Sequence, residues 1–371
     1  MFPAAERPGG TRRVLIACLP LLFACAEAAP PIDRLSVPEG FTVELLTDAL
    51  PNARQLALGD DGTLFAGTRE DGRVWALRDG RVHTLARDLT MPSGLAFRDG
   101  DLWIGATDTI WRLRGVENRL ADPPAPELVT DALPSDRHHG WKHLEFGPDG
   151  ALWVPVGAPC NVCDPEPPYA SMLRMDPDTG AYELWARGIR NSVGFDFEPG
   201  TGVLWLSDNG RDLLGDDIPP EELNRAPEPG LHFGYPYVHA GEILDPEFGA
   251  GHDPGDYAAP ALTMQAHTAP LGIAFYTGDA FPERYRGALF VAQHGSWNRS
   301  SKVGYRVIVA FVEDGRVTNA EPFLTGFLEG ESAWGRPVDV LVHPDGSLLV
   351  SDDARGAVYR IRWTGDAVAT R

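Results

Sequence analysis

Arg190 and Asn191 stand together ahead of a strand, and the loop beyond it carries Asp208, Asn209, Arg211, Asp212, Asp216 and Asp217. So many charges are poor core material, because each needs a partner once buried. They suit an ion or a charged ligand, and oxygen-rich loops of this kind suit calcium. A histidine pair, His138-His139, precedes an earlier strand and offers a group that exchanges a proton near neutral pH. The chain has no HExxH, no Gly-rich phosphate loop and no nucleophile elbow.

The elements that position these residues repeat. An apolar pair, a Pro/Asp/Gly turn and an apolar-aromatic strand recur from Gln55, Gly94, His143, Gly194, Gly272 and Asp339. The D-G turn joins two short strands as a hairpin, and a third strand usually follows, as in Arg73–Leu77 and Ala357–Ile361. Early copies lie on the order of forty residues apart with no amphipathic helix between them, which is the signature of propeller blades. The expected fold is all-β, one six-bladed β-propeller over residues 30–371. Residues 41–46 are expected to supply the outer strand that closes the last blade. Two gaps, 155–172 and 209–268, read as insertions, and long structured insertions are usually functional.

Superposing the copies predicts a ring at one channel mouth. The fourth and third positions ahead of each copy are Pro51-Asn52, Thr90-Met91, His139-Gly140, Arg190-Asn191, Thr268-Ala269 and Gly335-Arg336. Arg299 and Lys302 are expected at the same rim. A histidine, arginines and an asparagine there would make a concave cationic pocket for an anion, with His139 able to take a proton. The competing reading pairs each cation with a nearby carboxylate. His138, His143 and His294 are read as supporting groups.

The formal charge of −21 argues against nucleic acid or an anionic membrane as partner. Residues 1–29 read as an export leader: Arg12-Arg13, the run VLIACLPLLFACA and small residues around Ala26–Ala28. The expected location is periplasmic or secreted, with lipid anchoring through Cys25 as the alternative to simple cleavage. No later run is long enough for a transmembrane helix. Cys18 and Cys25 fall in the leader, and in an exported chain Cys160 and Cys163 read as a local disulfide stapling a loop.

Three stretches together resemble the soluble pyrroloquinoline quinone (PQQ)-dependent sugar dehydrogenases, in their sorbosone dehydrogenase-like branch. They are HHGWKHLEFGPDG, then GIRNSVGFDFEPGTGVLWLSDNGRDLLGDDIPPEELN continuing into HFGYPY, and HGSWNRSSKVGYR with GRPVDVLVHPDG. The resemblance implies an enzyme that oxidises an aldose or related sugar hydroxyl by hydride transfer to the quinone. It implies His139 as base, Arg190 and Asn191 facing the quinone oxygens, and Lys302 and Arg336, with Arg299 at the same rim, contacting the cofactor. It implies calcium held at Asn209, Gly210 and Arg211, largely through backbone carbonyls. The chain departs from the family pattern where His138 replaces an Asp beside the base and Val338 replaces a second Arg. It departs again where Arg211 replaces a Pro and where Met91 or Pro92 replaces a Gln. No CxxCH occurs through Arg371, so the expected electron acceptor is external, a quinone or a cytochrome. Two alternatives stand beside this: a calcium-dependent sugar lactonase-like hydrolase, and a non-catalytic ligand-binding propeller.

Overall fold

The second strand of each repeat, the one that reads as an apolar-aromatic run, decides the architecture. These strands are Leu64–Thr68, Asp101–Gly105, Leu152–Val156, Leu204–Asp208, Leu289–Gln293 and Leu348–Asp352, and every residue in them is buried. A strand covered on both faces has no need of polar alternation. The computed structural model, which describes residues 29–365, places each of them inside one of six sheets that follow one another along the chain, antiparallel except for one parallel strand added to the third. The result is the expected six-bladed β-propeller. The leader, with Cys18 and Cys25, lies outside the described residues.

Inner strands Ala53–Leu58, Gly94–Arg98, Glu145–Phe146, Phe195–Phe197, Pro270–Phe275 and Pro337–Val342 begin the blades at the six sequence copies. Hairpin turns reverse the chain behind them; Gly150 at the tip of Pro148-Asp149-Gly150 has φ +78°, a conformation that a side chain disfavours. Trp103, Trp205, Phe65, Phe195 and Phe290 are sealed between blades. Truncating one such ring to alanine costs about 3–5 kcal/mol.

The ring closes as expected. Phe41–Thr47 pairs antiparallel with Ala357–Trp363, Phe41 opposite Trp363. The Phe41 ring sits edge-on to Phe281, Tyr285, Phe323 and Trp363 at centroid distances of 4.7, 5.3, 5.1 and 4.9 Å.

The reading of 209–268 as one insertion is corrected by the pairing. Glu221–Ala226 and Leu262–Met264 are the regular third and fourth strands of blade four. The extra chain is two loops on either side of Glu221–Ala226. The second loop adds Leu231–His232 alongside Tyr182–Arg187 of blade three and carries the small hairpin Val238–His239/Ile243–Leu244. Cys160 and Cys163 are disulfide-bonded within the other insertion. No helix among the described residues is long and apolar enough to cross a membrane.

Candidate active site

Four blades begin through a residue in the left-handed conformation: Asn52 (φ 60°), Met91 (49°), His139 (51°) and Ala269 (54°). Each costs roughly 1–2 kcal/mol relative to an ordinary conformation. His139 lies one place earlier in its copy than the other three, yet it is their conformational counterpart. Of these, His139 and Ala269 line a cavity of about 310 Å3 at the channel mouth. His139, Arg190, Asn191, Asn209, Gly210 and Arg336 all line it. Six of the nine predicted site residues thus meet in one place, His139, Arg190, Asn191 and Arg336 from the superposed repeats and Asn209 and Gly210 from the resemblance.

His139 is 8% exposed, and its Nδ1 lies 2.9 Å from the Ala158 carbonyl. A carbonyl only accepts, so Nδ1 carries the proton and Nε2 is left with a free lone pair. Burial, followed by the charges of Arg190 and His138, holds the imidazole well below its ordinary pKa. The imidazole is therefore neutral at pH 7. Gly157 lies directly beneath it: a Cβ there would stand 2.5 Å from His139 Cβ and 2.9 Å from the His139 carbonyl oxygen. Gly157→Ala is therefore expected to displace the base and lower kcat by about 10–100-fold, the penalty of an ångström-scale misplacement. Steady-state kinetics alongside a melting curve checks this, since a comparable collapse of the fold would mean that the glycine serves packing alone.

Arg190 is held in a nearly complete cage. Its Nε donates to the Asn161 carbonyl at 2.8 Å, Nη1 to the Asn209 carbonyl at 3.0 Å, and Nη2 to Asn161 Oδ1 at 2.9 Å and Asp212 Oδ2 at 3.1 Å. Its backbone amide and that of Asn191 donate to the buried Asp208 carboxylate at 2.9 and 2.6 Å. The disulfide loop contributes Asn161 and the acidic loop contributes Asp212, so both insertions serve to fix this one guanidinium.

The acidic loop proves to be mostly a clamp. Arg211, 5% exposed, turns away from the cavity and donates to Asp245 at 2.6 Å and Glu247 at 3.1 Å. Arg299 does not line the cavity; it grips the Asp216 carbonyl and, at 3.0 Å, the Asp217 carboxylate, tying blade five to the loop. Lys302 is likewise outside the lining: its Nζ donates to the Glu331 carbonyl at 2.8 Å and its backbone amide to the Glu331 carboxylate at 2.9 Å, both exposed. Loop charges were paired with one another, which sequence order alone does not reveal. Of the histidines read as supporting groups, His294 lines the cavity and His143 does not. His294 is held by Asp353 at 2.9 Å, and burial pushes His143 down to about 3.

Arg54, Arg69, Trp141, Glu221, His267 and Trp297 also line the cavity and were missed. A signal for Arg54 existed. One place ahead of each copy the residues are Arg54, Ser93, Lys142, Val193, Leu271 and Val338, and five of these line a small cavity deeper on the axis. Trp141 lay within the HHGWKH stretch itself. Glu221 accepts from the Gly210 amide at 2.7 Å and the Ala269 amide at 3.3 Å, and burial pushes it up to about 7. Trp297, 73% exposed, stands at the rim.

Residues 111–360 match the glucose/sorbosone dehydrogenase family. An uncharacterized protein of Borreliella burgdorferi is 34% identical over 372 residues, covering 94% of this chain and 96% of the relative. Aldose sugar dehydrogenase YliI of Escherichia coli is 30% identical over 184 residues, 48% of this chain and 43% of that protein. Among solved structures, the holo PQQ domain of pyranose dehydrogenase from Coprinopsis cinerea superposes with a TM-score of 0.72 at 20% identity, covering 88% of this chain and 97% of that one. A calcium structure of the family AA12 carbohydrate-active enzyme of Trichoderma reesei gives 0.76 at 21% identity, covering 89% and 97%. With the repeat, the mouth and the family match in agreement, the chain belongs to the glucose/sorbosone dehydrogenase family.

Proposed function

We propose that this chain is an exported PQQ-dependent dehydrogenase that oxidises the hydroxyl of an aldose or related sugar. The observation that carries this reading is the convergence of a neutral His139 with Arg190, Asn191 and Arg336 on one cavity. Guanidinium forks, the Asn191 amide and the indole of Trp141 form a donor set that fits a flat polycarboxylate. Glu221 and Asp212, with the backbone of Asn209 and Gly210, form an oxygen-rich wall, and Glu221 has amide donors but no cation in hydrogen-bond contact among the described residues. That chemistry fits calcium. Bound PQQ would supply the acceptor for the substrate's hydride, with calcium as a Lewis acid beside it.

The chain's own residues do the rest. His139 takes the hydroxyl proton at Nε2, and Ala158 holds the ring in the tautomer that permits it. Arg190, immobilised in its cage, presents positive charge to oxygen that becomes negative as the reaction proceeds. Trp141 and Leu271 restrict water at the cavity wall. Electrons leave to an external acceptor. A lactonase reading is disfavoured, because no three His, Cys, Asp or Glu side chains among the described residues converge as a metal site.

Adding PQQ and calcium to purified apoprotein tests the proposal. A shifted cofactor spectrum and sugar-dependent bleaching of an artificial electron acceptor support it; absence of binding at micromolar quinone sinks it. The pH profile provides a second check. The base works only when deprotonated, and its pKa is depressed. kcat/KM should therefore stay level as pH falls through about 6.5, the ordinary histidine value, and drop only below it. An ascending limb centred above that value would contradict the assignment.

A further inference from the structure

We propose that Arg54 and Arg69 of the first blade, together with Arg336, anchor the carboxylates of the quinone cofactor, the part that family resemblance gives to Lys302. The inference rests on the PQQ reading above and deepens it. Lys302 is spent on Glu331, and the position of a second family arginine is Val338, which packs with Val193 and Leu271. Of the expected carboxylate contacts, Arg336 alone lines the cavity.

The first blade supplies what is lacking. Arg54 and Arg69 line the same cavity. Arg54 Nη1 donates to Asp353 at 2.8 Å, but Asp353 is shared with His294 at 2.9 Å, and the other Arg54 donors make no hydrogen bond among the described residues. Arg336 donates to two carbonyls, His294 at 3.1 Å and Gly295 at 2.7 Å, and to no carboxylate among the described residues. Arg69 is the most telling. Its guanidinium stacks 4.3 Å from the centroid of Trp141, and its Nε is buried with no hydrogen bond; Glu70 Oε1 is 3.3 Å away but wrongly angled, and largely exposed. A buried donor left unmade is costly. Burial, then Arg54, already lowers the pKa of Arg69.

Arg54, Arg69 and Arg336 thus face one cavity with Asp353 as the one carboxylate their side chains hydrogen-bond among the described residues, in a chain whose net charge is −21; of the carboxylates lining the cavity, Asp212 pairs with Arg190 and Glu221 takes backbone amides. Such an excess is stable when an anion completes it, and the planar fork of arginine matches a carboxylate in two-point contact. The stacking on Trp141 orients Arg69 in advance, so little side-chain freedom is lost on binding.

The test is titration of calcium-loaded apoprotein with PQQ, followed by tryptophan fluorescence and by calorimetry. Arg69→Gln is expected to weaken binding by about tenfold or more and to flatten its salt dependence, as loss of a charge-assisted contact does. Arg54→Gln should do the same. Lys302→Gln should stay within about twofold of wild type, as an exposed contact predicts. Arg69 makes no hydrogen bond through its buried Nε, so its variant should melt like wild type and carries the test even if Arg54→Gln fails to fold. Wild-type affinity in Arg69→Gln, or a loss in Lys302→Gln as large as in Arg69→Gln, overturns the inference while leaving the PQQ reading in place. An Arg69→Gln effect confined to the KM for sugar also overturns it. Failure of the wild-type protein to bind PQQ removes the PQQ reading itself.

Discussion

His139→Gln is expected to lower turnover by about 10²–10⁴-fold, the usual contribution of a general base, while PQQ affinity changes little. The imidazole makes one hydrogen bond, through Nδ1 to Ala158, and Nε2 bonds to no group among the described residues. Glutamine can still donate to that carbonyl, so the wall of the cavity survives. What disappears is a neutral acceptor kept unprotonated by burial and Arg190. Dye-coupled turnover and fluorescence titration of the same preparation check this, and equal loss of turnover and binding would contradict the role of base. The low-pH fall in kcat/KM should vanish with the residue.

Arg190→Leu should combine a catalytic loss of roughly 10²–10³-fold with a loss of stability of roughly 2–4 kcal/mol, the lower part reflecting the partial exposure of Asp212. The leucine would leave the Asn161 and Asn209 carbonyls and the Asp212 carboxylate without their Arg190 donor, and the Asn161 amide oxygen with the Asp212 backbone amide alone. Arg190→Lys separates the two effects. It restores charge but not the fork, so part of the stability should return while turnover stays low. Denaturant melts and single-turnover rates measure the two losses independently. Full activity in the lysine variant would show that charge alone suffices.

The two variants differ in how readable their residues were. Propeller, blade order and closing strand were visible because the buried second strands leave contiguous apolar runs and the turns carry their glycines. The mouth was visible because repeats superpose, so His139, Arg190, Asn191 and Arg336 could be aligned without any partner sequence. What failed was pairing across loops. Arg211, Arg299 and Lys302 have the right charge and the right neighbourhood in sequence, but a partner elsewhere captured each one: the Asp245 and Asp217 carboxylates for the arginines and the Glu331 carbonyl for the Lys302 ammonium. Long flexible side chains settle on whichever partner lies in reach, and nothing local encodes that choice. Arg54 and Arg69 were missed for the opposite reason, since they stand within the inner strand and just after the second strand of a blade whose mouth residues, Pro51 and Asn52, look inert.

The closing strand has a consequence for the order in which the molecule comes together. Thr364 bonds to the Gly40 carbonyl, 324 positions away along the chain, so the most distant segments become nearest neighbours. Asp353 of the last blade also grips Arg54 of the first. One wall of the mouth is therefore complete only in a shut ring, and pairing this remote forms slowly, because the loop must be closed before the contact rewards it. Any anion bound to that wall draws the equilibrium toward the shut form by mass action, so the melting temperature should climb with ligand concentration. Occupancy of the mouth and integrity of the circle are thermodynamically one property.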